Sequence, residues 1–279
     1  DFGARGKRRA PFPVFHLAQK SRITMSAGFG KTRNLAIVIV LTTMILCATS
    51  CVGPFANSNK AKGPVKAVVV TGGHGFEHDP FFDVFEEMED VRYTEYVLKD
   101  DSEIFEDITD WDYDVIVLYS MTQKISEKRR ENFVELLNDG VDLLAMHHNM
   151  CSFQDWPEYR EIIGTRYYTR AEGDRPKSTY KHDIDMNVTI ADKEHPITRG
   201  MSDFVIHDES YKNCAFEPDN HVLLTTDHPT SDQTIMWTRK YANARVCTIQ
   251  LGHDSKAYQN PNYRRLVHRA ILWCDGRMK

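Results

Sequence analysis

The stretch Lys66-Ala67-Val68-Val69-Val70-Thr71 runs directly into Gly72-Gly73-His74-Gly75-Phe76-Glu77-His78-Asp79. An unbroken apolar run of this length marks a parallel strand covered on both faces. Asp79-Pro80 then offers an N-cap and a proline at the first helical position. A helix is therefore expected over residues 81–88, with Phe82, Phe85 and Met88 turned inward. Gly72-Gly73 lets the backbone approach a ligand closely. No GxGxxG is present, so this is not a dinucleotide fingerprint.

Working outward, residues 94–98 alternate as a strand, and Asp114 to Tyr119 form a second buried run. Ser126 caps a helix expected over residues 127–138, with Phe133, Leu136 and Leu137 inward and Gly140 as its stop. The following strand, 141–146, exits at His147-His148. Strand–helix alternation with short links specifies a right-handed, mostly parallel sheet. Beyond residue 150 the pattern loosens. A short helix over 156–163 closes at Gly164, and a half-exposed strand spans 183–190. Strands over 222–225, 235–238 and 245–251 precede a closing amphipathic helix over 263–274. Residues 150–240 are the expected site-covering insertion.

The chain has 279 residues and begins at Asp1. Residues 1–24 are basic and patternless, and Met25 is the first methionine. Translation from Met25 is the preferred reading, and a disordered basic tail is the alternative. Lys31 and Arg33 then precede an apolar run from Leu35 to Ala48, too short to span a bilayer comfortably. Ala48-Thr49-Ser50 before Cys51 resembles a bacterial lipobox. Residues 25–51 are thus expected to be a lipoprotein signal peptide, with Cys51 the lipidated residue. The protein is then exported and anchored to the membrane by lipid, in the periplasm or at the outer cell surface. Ordinary signal cleavage or a short anchor are the alternatives. Residues 52–64 have tether composition. Residues 65–279 remain, ample for one α/β domain.

A net charge of −5 with no basic stripe argues against nucleic acid as a partner. Cys151, Cys214, Cys247 and Cys274 are scattered without a CxxC, which argues against a metal–thiolate site. Export would permit a disulfide, but burial as small hydrophobes is the stronger reading. Formation of a homo-oligomer stays open.

Chemistry-bearing side chains recur where strands end. His74 and His78 lie in the first strand–helix loop, His147-His148-Asn149 after a later strand, and Gly252-His253-Asp254 after the last. A loop is expected to carry His207-Asp208-Glu209, with Tyr211 two residues on. Carboxyl ends of strands are where open α/β sheets build their sites. Taken singly, each histidine is more simply a surface or satisfied core residue. Neighbouring His147 and His148 would point to opposite sides of a strand, so only one enters a given pocket. No HExxH or HxH is present, so a metal site would have to be assembled from distant segments. A mixed set of His148, His182, Glu209 and His253 suits a zinc-like divalent ion. Without a metal, the same groups serve as general acid and base. The candidate catalytic set is His78, His148, Asp208, Glu209 and His253, with Asp208 orienting a histidine. His74, His147 and Asn149 are candidate substrate contacts, and Trp156 and Tyr211 candidate sugar-stacking rings. Cys151 is a weak nucleophile candidate, because its turn holds histidines and a bulky Met150 instead of small residues.

In series, these pieces resemble the ThuA-like family of trehalose utilisation. They are Gly75-Phe76-Glu77-His78-Asp79, Asp114-Val115-Ile116-Val117, Leu144-Ala145-Met146-His147, His195-Pro196-Ile197, Asp208-Glu209-Ser210-Tyr211, Ala244-Arg245-Val246 and Leu251-Gly252-His253. The resemblance implies an α/β, flavodoxin-like sheet of the class I glutamine amidotransferase-like superfamily, lacking the amidotransferase cysteine. It also implies carbohydrate metabolism, often beside sugar dehydrogenases, without fixing a reaction. Glu77 stands where the family often has a basic residue, and Ala242-Asn243-Ala244 where a Gly-x-Gly turn is common. The expected function is a hydrolase or lyase acting on a glycoside or keto-sugar. The rival is a non-catalytic sugar-binding or accessory lipoprotein that serves a dehydrogenase or transporter.

Overall fold

The computed structural model describes residues 63–99, 101–121 and 124–279. The expectations for the leader, the signal peptide, Cys51 and the tether up to residue 62 lie outside the described residues. Within them no helix is long and apolar enough to cross a membrane.

The chain runs β1 (Val65–Thr71), α1 (His78–Glu86), β2 (Val91–Val97), β3 (Val115–Leu118), α2 (Glu127–Asn138), β4 (Asp142–Met146), α3 (Pro157–Ile163), β5 (Thr165–Arg166) and β6 (Thr179–Ile190). It continues through β7 (Phe204–Lys212), β8 (Ala215–Phe216), β9 (His221–Thr225), β10 (Thr234–Tyr241), β11 (Ala244–Ile249), α4 (Ser255–Tyr258) and α5 (Pro261–Cys274). The main sheet has the order β2-β1-β3-β4-β11-β10-β9-β6-β7. Its half from β2 to β11 is parallel, and its half from β11 to β7 is antiparallel.

β1 shows why the parallel half forms. Val65, Ala67 and Val69 face one layer, built from Phe81, Phe82 and Phe85 of α1 and Leu266, Val267 and Ile271 of α5. Val68 and Val70 face the other, with Phe133, Leu136 and Leu137 of α2 and Tyr159, Ile162 and Ile163 of α3. From Ala67 to Val70 both faces of the strand leave water, so each of those positions is apolar, while Lys66 near its start stays exposed. Each fully buried large side chain contributes roughly 1.5–3 kcal/mol of transfer free energy.

Three expectations change. The first helix starts at His78, one turn earlier than expected, with Glu77 at its N-cap and no side-chain cap bond. The Glu77 carboxylate is engaged elsewhere, by the backbone N–H and hydroxyl of Ser255. Second, β6 begins at Thr179, four residues ahead of the apolar alternation, because its polar start pairs with β7. Third, His207-Asp208-Glu209 is not a loop. It lies inside β7, the edge strand, paired antiparallel with β6.

The antiparallel half returns to the carboxyl ends of the parallel strands. Asp208 of β7 accepts the backbone N–H of Gly252 at 2.8 Å and of His253 at 2.9 Å, both just beyond β11. Gly252 sits at φ +111°, a conformation that side chains rarely adopt. A Cβ there would run into the buried phenol of Tyr263. Gly252→Ala is therefore expected to destabilise the fold by about 3 kcal/mol, measured by urea unfolding. A change under about 0.5 kcal/mol would contradict this placement of the turn.

Candidate active site

Two strand exits and the middle of the edge strand β7 converge. β4 ends at Met146, and His147 begins a 3-10 turn over His147–Cys151. Its φ is +48°, unusual for a residue with a side chain and worth a functional reading. This backbone reversal cancels the strand alternation that would set His147 and His148 on opposite sides. It turns the His147 ring under the exit of β11. There its Nδ1–H donates to the carbonyl of Gln250 at 2.7 Å. That bond fixes the tautomer and leaves the Nε2 lone pair facing inward.

Glu209 of β7 supplies the carboxylate. Its Oε2 lies 3.1 Å from His147 Nε2 and 3.2 Å from His253 Nδ1. The two imidazole nitrogens are 3.2 Å apart. All three ligand atoms fall within 4.8 Å of one another. A tetrahedral zinc ion with bonds of about 2.0–2.1 Å sets its donors about 3.3–3.4 Å apart. The donor set and its spacing fit such an ion. The Tyr211 hydroxyl reaches His147 Nε2 at 3.1 Å, and His182 Nδ1 stands 3.5 Å from Glu209 Oε1 on the solvent side.

The electrostatics follow from this packing. Glu209 is only 5% exposed. Burial alone would raise its carboxyl, but hydrogen bonds and charge from His147 and His253 outweigh it and hold the group well below the usual carboxylate range. The Glu209 hydrogen bond in turn raises His253, against the opposing effect of partial burial. Asp208 is displaced upward by burial, opposed by His147 and by three backbone donors. Those donors are the N–H groups of Glu209, Gly252 and His253. The Asp208 carboxylate thus ties β7 to the β11 exit and orients His253 through its backbone. The Tyr258 hydroxyl donates to the His253 carbonyl at 3.0 Å, fixing the other side of that residue.

The expected residues divide accordingly. Glu209 and His253 meet, and His147 stands where His148 was expected. His148 is buried; its Nε2–H donates to the Tyr119 carbonyl at 2.9 Å, and its ring packs against Tyr119 and His74. Burial and the neighbouring His147 and His74 keep it well below the ordinary imidazole value. His74 is exposed beside it. His78 lies outside the group, held at the surface by Asp79 at 2.9 Å and Glu95 at 3.1 Å. Asn149 is consumed internally by the Ser120 carbonyl and the Tyr159 hydroxyl. Trp156 is buried against Phe133, Phe153 and Tyr159, so it offers no ring face to a sugar. Tyr211 is likewise buried and stacks on His147, presenting its hydroxyl and not its face. Cys151 is buried and its thiol is pushed up by burial, which disfavours a thiolate nucleophile. Sequence reasoning did not single out Gln250, whose backbone carbonyl sets the His147 tautomer; a carbonyl carries no sequence signal.

Residues 66–274 match the ThuA family model, described as trehalose utilisation. A ThuA-like protein of Parabacteroides merdae is 20% identical, with a TM-score of 0.66 over 76% of this chain and 90% of its own. One from Bacteroides uniformis is 20% identical, with a TM-score of 0.59 over 78% and 94%. A cytoplasmic protein of Salmonella typhimurium is 15% identical, with a TM-score of 0.50 over 74% and 98%. These likenesses show the fold, a mostly parallel flavodoxin-like core of the class I glutamine amidotransferase-like type. No curated protein matches the chain.

The Glu209–His253 contact gives the metal-free protein a defined pH dependence. His253 is raised above its ordinary 6.5, so its contribution is complete below that value and lost as pH rises through the raised one. Glu209 is lowered from its ordinary 4.5, so its contribution is complete above that value and lost as pH falls through the lowered one. Tm of the chelated protein is expected to fall as pH rises above 6.5, and His253→Gln should flatten that fall. An unchanged slope in the variant would reject the contact.

Proposed function

We propose that this chain, which belongs to the ThuA family of trehalose utilisation, is an exported enzyme that acts on a glycoside or keto-sugar. Its site would be the group His147, Glu209 and His253, assisted by a zinc-like divalent ion. The observation that carries the reading is the approach of three ligand atoms, from the exits of β4 and β11 and from the middle of β7, to within 4.8 Å of one another. Two imidazoles and a carboxylate leave room for substrate on a tetrahedral ion. Bound there, such an ion would polarise a carbonyl or hydroxyl oxygen of the sugar.

The chain's own residues supply the rest. Gln250 holds the His147 ring with its Nε2 toward the ligand position, and Asp208 with Tyr258 holds His253. His182 is half exposed beside Glu209, so it can exchange protons with solvent and pass them at Nδ1. Export and lipid anchoring are supported by the apolar run from Leu35 to Ala48 and by Cys51. On that reading Cys51→Ser moves the protein from the membrane to the soluble fraction. Recovery of both forms in the soluble fraction would reject the anchor.

The activity is tested by product analysis on trehalose, maltose and their keto derivatives. Glu209→Gln and His147→Ala are each expected to reduce turnover at least about 100-fold, while His78→Ala leaves it within about twofold. Binding without conversion by the metal-loaded protein would replace this proposal with the non-catalytic sugar-binding reading.

A further inference from the structure

Resting on the sugar reading above, we propose that Tyr180 is the ring platform on which the ligand seats beside the candidate site, and hence a residue that determines specificity for pyranose rings. Tyr180 is 60% exposed. A single exposed aromatic is ordinary, but this one has a specific address. It pairs directly across β6 and β7 with Tyr211. Cross-strand partners share one face of a sheet, so Tyr180 lies on the face from which Tyr211 reaches His147.

A file of rings then leads inward. The centroids of Tyr180 and His182 are 5.0 Å apart, and those of His182 and His253 are 4.5 Å apart. The backbone builds this arrangement at a bulge. The β6–β7 register shifts between Lys181 and Ile184, and Asp183 adopts φ +53°. Bulges re-aim side chains next to sites. Here the bulge is clamped through Asp183, whose carboxylate accepts from Lys256 Nζ at 2.9 Å and lies 3.4 Å from His207 Nε2. His207 is itself tied to Asp185 at 2.8 Å.

The other nearby aromatic rings are unavailable. Tyr211 and Tyr167 are buried, and Tyr168 has the Arg166 and Arg175 guanidinium groups each 4.6 Å from its ring. Tyr180 alone among these offers an open face. A pyranose has an apolar C–H face and a hydroxyl-bearing rim. Seated on Tyr180, it would place the rim toward His182 and Glu209. A convergent polar set beside an aromatic wall is the usual make-up of a small-molecule site.

The test is calorimetric titration of trehalose, maltose and methyl glucoside into the metal-loaded full-length protein and into Tyr180→Ala, Tyr180→Phe and Tyr180→Trp. Zinc uptake by each variant serves as the check that the neighbouring group is intact. Expected is binding of at least one sugar by the wild type, with affinity reduced about tenfold or more in Tyr180→Ala. The two aromatic variants should stay within about threefold of the wild type, with zinc uptake unchanged. Equal affinity in wild type and Tyr180→Ala would overturn the platform and leave the sugar reading standing. So would an equal loss in Tyr180→Trp, which keeps a ring. Failure of the wild type to bind any sugar would overturn the sugar reading itself, and the platform with it.

Discussion

The Glu209 carboxylate, buried between two imidazoles, is the constraint on which the rest of the site depends. A charge removed from water costs several kcal/mol unless it is paired and hydrogen-bonded. Glu209 Oε2 has His147 Nε2 and His253 Nδ1 within 3.2 Å. The outer N–H of His147 already donates its hydrogen bond to the Gln250 backbone carbonyl. Lone pairs this close repel one another unless a proton or a cation sits among them. A metal ion bound at this position would take the place of protons there.

Holding that arrangement is the work of the scaffold. β4 and β11 are adjacent parallel strands in register from Val246 opposite Leu143 to Ile249 opposite Met146, so their exits come out side by side. β7 lies at the far edge of the antiparallel half, and Asp208 ties it to them through the backbone N–H groups of Gly252 and His253. Asp208 and Glu209 are consecutive acids with different duties. One has its acceptors consumed by N–H groups, and the other faces imidazoles. Tyr119 adds to the clamp, donating to the Gly252 carbonyl at 2.8 Å and meeting the Tyr258 hydroxyl at 2.6 Å.

The parallel half was legible in the sequence because burial on both faces forces unbroken apolar runs, as in β1, and because α2 carries its own start and stop at Ser126 and Gly140. The place of His253 followed from setting polar groups at strand ends, whereas Glu209, expected in a loop, meets it from inside β7. The choice of His147 over His148 did not follow. It turns on a left-handed backbone at a residue with a side chain, which residue type does not reveal. The placement of residues 207–209 in a loop failed for a related reason. A strand whose buried side faces a cluster of polar groups carries acids, Asp208 and Glu209, where alternation would need apolar residues. Trp156 was misassigned because a ring suited to stacking on sugar is equally suited to a core, and the short helix α3 turns it inward.

The central claim is tested most directly by X-ray absorption at the zinc edge on protein loaded with one equivalent of zinc and passed through gel filtration. Expected is retained zinc with a shell of nitrogen and oxygen at about 2.0–2.1 Å that includes two imidazoles, with the imidazole signature reduced in His147→Ala. Zinc lost on the column, or a shell of oxygen alone that is unaffected by the variant, would contradict it.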